Sequence, residues 1–285
     1  MNRSGLTTRK WLYLALILVL ILTGAYLIIR FYSNKNIAIK ADVAKVEPVI
    51  TSELATKPED TTKPKKEVDL SVLKMPILMY HYIRDYQDES DQVGIGLSVS
   101  AQSFATQLDQ IIDSGYQTAT FKDIANNNIA EKPIILTFDD GYSDFYSSAY
   151  PELKKRAMKA VVYIIVSNIG KDGYLSKEQI IELSREGIEI GSHTLSHIDL
   201  SKAEDDRSLV QIRDSKLSLE QIISTSVLSF CYPSGKLNAQ TPIMIKNNNY
   251  KFAVTTKSGI AEFSNPFQLS RYRISNNMSL SKILQ

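Results

Sequence analysis

Apolar and polar positions divide this chain into three regimes. Residues 11–29, WLYLALILVLILTGAYLII, form an almost unbroken apolar run. As a helix rising about 1.5 Å per residue, the run reaches roughly 30 Å, the thickness of a bilayer core. Residues 33–74 are rich in Lys, Glu, Thr and Pro and poor in aromatics, and they bury too little surface to offset the entropy of ordering. From residue 75 onward, short apolar runs alternate with stretches of helical periodicity. The runs predict strands at 76–80, 134–138, 160–166, 188–191, 227–231 and 252–255. The periodic stretches predict helices near 103–114, 143–156, 177–186, 208–224 and 239–248. Strands separated by helices of this length imply parallel βαβ units, so the fold class is α/β, as a barrel or a doubly wound sheet. Either architecture puts its chemistry beyond the C-terminal ends of the strands.

The chain therefore divides into a cytoplasmic N-terminus (1–10), a transmembrane anchor (11–30), a flexible linker (31–74) and one domain (75–285). That domain is long enough for a full-sized core. Arg3, Arg9 and Lys10 precede the apolar run while Arg30, Lys35 and Lys40 follow it, so flanking charge says little about orientation. A cleavable signal has a shorter apolar core and a small-x-small site, whereas Ala25 is followed by bulky Tyr26 and Leu27. We expect an uncleaved single-pass anchor in the cell membrane with an extracellular domain. The formal net charge of +2 gives no reason to expect a nucleic-acid partner, and a monomer is expected. Cys231 is the one cysteine, which excludes an intrachain disulfide and a cysteine-based zinc cluster; it reads as a small core residue.

The predicted strand 134–138 runs into Asp139-Asp140-Gly141-Tyr142. Two bare carboxylates side by side repel each other unless a cation or a shared proton compensates them. A turn at Gly141 can bring both acids to one pocket, or Asp140 can simply cap the following helix. The chain has three histidines, His81, His193 and His197. The last two, four apart after the predicted strand 188–191, share one face if the segment turns helically, which suits two ligands on one metal. Each imidazole alone can equally bond to nearby backbone. Asp140 would complete a two-histidine, one-carboxylate set with open positions for water and substrate.

Thr137-Phe138-Asp139-Asp140-Gly141 followed by Ser192-His193-Thr194-Leu195-Ser196-His197 resembles the polysaccharide deacetylase family, the NodB-homology or carbohydrate esterase family 4 group. The early Tyr80-His81 is similar to the poly-N-acetylglucosamine deacetylase-like subgroup. The resemblance implies a distorted (β/α) barrel and removal of N-acetyl groups from a cell-surface polysaccharide with a divalent metal, usually zinc. It implies Asp139 as general base, Asp140, His193 and His197 as metal ligands, and His81 as the acid that protonates the leaving amine. Phe230-Cys231-Tyr232-Pro233-Ser234-Gly235 resembles the family's third motif, with Ser234 as an oxyanion donor through its backbone N–H. Many members carry an arginine near Cys231, and this chain has none there. Arg271 is the preferred substitute to orient Asp139, with Arg273 the alternative, and both can also be surface residues. Tyr142, Tyr232, Tyr146 and Tyr174 can stack on sugars or pack as core.

Peptidoglycan and poly-N-acetylglucosamine both remain open as substrates. An aspartyl phosphohydrolase would want two acids spaced by one residue and a later lysine, and it leaves the histidine pair unexplained. A non-catalytic glycan-binding module on the same fold is the other alternative.

Overall fold

A computed structural model describes residues 68–285, so the expected anchor and nearly all of the expected linker lie outside the described residues. Among the described residues, no helix is long and apolar enough to cross a membrane. The strands are β1 (Lys74–Met75), β2 (Ile77–Tyr80), β3 (Tyr82–Ile83), β4 (Ser98–Val99), β5 (Gln117–Ala119), β6 (Pro133–Phe138), β7 (Val161–Ile164), β8 (Glu189–Ser192), β9 (Ser229–Cys231), β10 (Phe252–Val254), β11 (Ala261–Glu262) and β12 (Tyr272–Arg273). The helices are α1 (Gln92–Leu97), α2 (Ala101–Asp113), α3 (Phe121–Ala125), α4 (Tyr150–Lys155), α5 (Lys177–Arg185), α6 (Asp205–Ile223) and α7 (Thr241–Asn247).

One parallel sheet dominates, with the path β10-β9-β8-β7-β6-β2-β12 and β5 paired beside β6. The architecture is a curled parallel half-barrel, the coarse form of the barrel expected from the sequence. A single parallel bridge, Val254 to Leu269, ties β10 to the segment that runs on into β12 at the other end of the path.

Central strands covered on both faces need apolar residues throughout, and β6 is buried along its whole length. Its alternate residues serve different layers. Ile134, Leu136 and Phe138 join the helix-covered core with Phe104, Leu108, Leu183 and Leu219. Ile135 faces a second cluster with Val161, Tyr163, Cys231 and Val254. The helices are started by their side chains: Ser100 accepts from the Ser103 N–H ahead of α2, while Thr120 with Asp123 and Ser176 with Gln179 form capping boxes at α3 and α5.

The helix expected over 143–156 differs in detail. It begins as a π-helix, Phe145–Ala149, and becomes α-helical only from Tyr150. Pro151 at that junction supplies no N–H for the ordinary i to i−4 bond, so the pitch changes there.

Candidate active site

The acid pair sits where β6 stops. Asp139 donates its N–H to the Tyr80 carbonyl at 3.0 Å, continuing the β6–β2 ladder one residue further. Asp140 (φ 74°) and Gly141 (φ 77°) then both enter the left-handed region. Successive residues of a straight strand point to opposite faces, and this turn re-aims Asp140 to the same end of the sheet as Asp139. Glycine suits 141 because its φ of 77° strains any residue with a Cβ; the one close contact such a Cβ would make, 2.9 Å to Ile164 Cδ1, is with a side-chain tip that can move.

The histidine pair sits where β8 stops. Its segment does not turn helically, as the spacing suggested. Thr194 (φ 69°) and His197 (φ 56°) are both left-handed, and Thr194 Oγ1 accepts the His197 N–H at 2.8 Å, closing a tight turn. The turn still brings the two imidazoles together, with ring centroids 4.8 Å apart. Asp140 Oδ1 lies 3.4 Å from His193 Nε2 and 3.6 Å from His197 Nε2.

The chemistry of these three donors fits a cation. His193 Nδ1 is 2.7 Å from the Cys231 carbonyl, which can only accept, so Nδ1 carries the proton. The other nitrogen of a neutral ring then presents its lone pair to the Asp140 carboxylate. Such a contact is repulsive until a positive charge sits between the two, either a metal ion or a proton. Burial lowers the His193 pKa, but Cys231 and Asp140 outweigh it and hold the ring well above its usual range, so without an ion a proton fills that place. A carbonyl fixing the far nitrogen of a ligand histidine is also a common support for metal sites. A second group, Asp139, His193 and Cys231, is equally close but unsuited. There the carboxylate is committed to an arginine, the histidine nitrogen to a carbonyl, and burial pushes the Cys231 thiol up, away from the thiolate a metal needs.

That arginine is Arg271, fully buried. Nη1 and Nη2 donate to Asp139 Oδ1 and Oδ2, both at 2.7 Å. Nε donates to the Thr255 carbonyl at 2.9 Å, Nη1 also to Thr137 Oγ1 at 2.9 Å, and Nη2 to Cys231 Sγ at 3.2 Å. Every N–H of the guanidinium is thus used. Burial alone would raise the Asp139 pKa, but the guanidinium overrides it and holds the acid well below the usual carboxylate range. His81 Nε2 stands 3.9 Å from Asp139 Oδ2, and burial lowers its pKa against the pull of the two aspartates.

His81, Asp139, Asp140, His193 and His197 line one cleft of about 460 Å³ together with Ser234 and Arg273. Ser234 (φ 53°) leaves its N–H without an acceptor among the described residues. Gly235 beside it (φ 69°) permits a close crossing, since a Cβ there would lie 2.8 Å from the Thr256 nitrogen. Two of the expected sugar contacts lie elsewhere. Tyr232 is buried, donating its hydroxyl to the Phe267 carbonyl and its N–H to that of Val254, so it does not line the cleft. Tyr142 spends its ring on Tyr82, 3.7 Å away at 19°, and on Tyr174. The sequence reading missed the wall formed by α1, where Val93 and Leu97 line the cleft and Val93 is 71% exposed. The only signal was an apolar run too short to separate from a loop.

A family model described as polysaccharide deacetylase matches residues 126–253. The Bacillus subtilis protein YxkH, which carries the polysaccharide deacetylase name, is 34% identical over 228 residues, covering 75% of this chain and 79% of that protein. A poly-β-1,6-N-acetyl-D-glucosamine N-deacetylase of Staphylococcus aureus is 23% identical over 274 residues, or 86% of this chain and 93% of that one. Among solved structures, the Streptococcus pyogenes deacetylase PplD in complex with acetate aligns with a TM-score of 0.69 and 36% identity, covering 75% of this chain and 98% of that one.

Proposed function

Because this chain belongs to the polysaccharide deacetylase family of hydrolytic enzymes, we propose that it removes N-acetyl groups from amino sugars of a cell-surface polysaccharide. One observation carries the reading: a single cleft holds a two-imidazole, one-carboxylate donor set beside a second carboxylate neutralised independently of it. Asp140, His193 and His197 would hold a divalent ion, with zinc suited to these nitrogen and oxygen donors. When bound, the ion supplies Lewis acidity, which a poor electrophile such as an amide carbonyl needs.

The protein's own groups do the rest. Asp139, not spent on the ion, takes a proton from water as the new C–O bond forms. Oδ2 accepts from Arg271 at 2.7 Å and makes a long contact with the Cys231 thiol at 3.5 Å, so the incoming proton takes the place of that weak contact. The Ser234 N–H donates to the oxyanion that develops on the former carbonyl oxygen. His81 delivers a proton to the departing nitrogen as the C–N bond breaks, giving acetate and a free amine. The apolar run 11–29 would hold the domain outside the cell membrane, within reach of peptidoglycan and of poly-N-acetylglucosamine.

Acetate release from purified peptidoglycan, measured beside poly-N-acetylglucosamine oligomers, tests this reading. Release from either supports it and names the glycan. Retention of a glycan with no acetate formed supports a binding module instead.

The ligand assignments carry their own expected result. His193→Ala, His197→Ala and Asp140→Ala should each lose bound metal and turnover together, as read by metal content after dialysis. Full metal content with lost turnover would remove that residue from the ligand set.

A further inference from the structure

Asp144 is the one acid of the acid-bearing turn that the chemistry above leaves idle. Its Oδ2 accepts the Ile83 N–H at 3.1 Å, while Oδ1 is buried with no partner among the described residues. Burial pushes its pKa up to about 6, against the pull of the Ile83 N–H and of Arg84. A buried, half-satisfied carboxylate is a costly way to satisfy one amide, and such costs concentrate where function needs them.

The amide in question lies two residues beyond His81. The imidazole of His81 makes no hydrogen bond among the described residues, and its nearest acidic atom is 3.9 Å away. No side-chain partner fixes its ring, so its place depends on the backbone at either side. On the N-terminal side, the Tyr80 carbonyl accepts the Asp139 N–H at 3.0 Å. On the C-terminal side, the tie is Ile83 to Asp144. Both hydrogen bonds come from the same six-residue turn, 139–144, and only the second is made by a side chain; Tyr142 of that turn adds a ring stack on Tyr82 but offers the Tyr82 backbone no acceptor. Ile83 also belongs to β3, paired with β4, and β4 directly follows the helix α1 that walls the cleft.

We propose that Asp144 is a positioning residue: by holding the Ile83 N–H it seats His81 against Asp139, without touching a reacting atom. The proposal rests on His81 being the acid, as argued above. A displacement of about 1 Å in a catalytic group can cost about 100-fold, and loss of general-acid help costs about 10²–10⁴-fold. Asp144→Ala should therefore lower turnover of an N-acetylglucosamine oligomer by about 10- to 100-fold at nearly unchanged KM and metal content. Asp144→Asn keeps an acceptor and should stay within about 3-fold of wild type.

The test runs both substitutions and His81→Ala in the metal-loaded full chain, on that oligomer and on 4-nitrophenyl acetate. The ester's leaving group departs without a proton, so it needs no acid. The expected result is amide turnover lost and ester turnover kept in both Asp144→Ala and His81→Ala. Equal loss on both substrates in Asp144→Ala, or a lowered Tm with unchanged turnover per folded molecule, overturns the proposal. So does an Asp144→Asn variant as impaired as the alanine. Asp144→Leu fills the same space without an acceptor and serves if the alanine variant does not fold. If His81→Ala keeps amide turnover, the acid assignment fails; if it alone loses that turnover, only the role given to Asp144 fails.

Discussion

Asp139→Asn is expected to lower deacetylation by about 10³-fold while leaving the metal content unchanged, a loss within the range of a missing general base. The substitution keeps the shape of the side chain but removes the charge that receives the proton. It also turns one oxygen into an amide that cannot accept from Arg271, so one of two parallel bonds is lost. Asp140 keeps its contacts with both histidines, because none of them passes through Asp139. Kinetics with acetate detection, paired with metal analysis of the same sample, checks both halves. Near-normal turnover in this variant would end the assignment of Asp139 as base.

Arg271→Met is expected to cost about 3–5 kcal/mol of stability at neutral pH, because it strands a buried charge. Lysine would be a poor rescue, since a single ammonium cannot reproduce the two-pronged contact with Asp139 and the bonds to Thr255, Thr137 and Cys231. The pH dependence has opposite signs in the two proteins. In the wild type the Asp139 pKa is depressed, so its stabilising contribution is complete above the unfolded value near about 3.9 and fades only as pH falls toward the folded one. Without Arg271, burial dominates and the folded pKa rises above the unfolded one. Acidification from pH 7 then relieves the variant, which should regain part of its deficit relative to wild type. Thermal unfolding of both proteins from pH 7 to pH 5 measures this, and a constant gap across that range would contradict it. The acid limb of the variant's pH–rate profile should also move to higher pH.

Much of the half-barrel was legible because its strands are apolar runs. β6 and β7 are buried at every position, and a run of that kind announces a strand covered on both faces. β5 and β12 were not legible: Gln117-Thr118-Ala119 and Tyr272-Arg273 are short and mostly polar, and they pair only because a neighbouring strand offers an edge. In the site, the acid pair and the histidine pair could be read because each follows its strand directly. Arg271 is preferred over Arg273 as the partner of Asp139, but it lies 132 positions from that acid and only the fold shows the link, with Arg273 lining the cleft instead. Cys231 read as core, and it is fully buried, yet its thiol also lies 3.5 Å from Asp139 Oδ2. Size and polarity foretold its burial; only the third dimension supplied that neighbour.

The order in which the chain is made bears on Arg271. Asp139 is synthesised long before the arginine that neutralises it, and the Val254–Leu269 bridge lies only two positions ahead of that arginine. Without the residues beyond about 260, burial of Asp139 would be opposed only by His81 and His193. The late segment that bridges back to Val254 therefore also carries the group that neutralises Asp139, so closing that edge and balancing the acid depend on the same few residues.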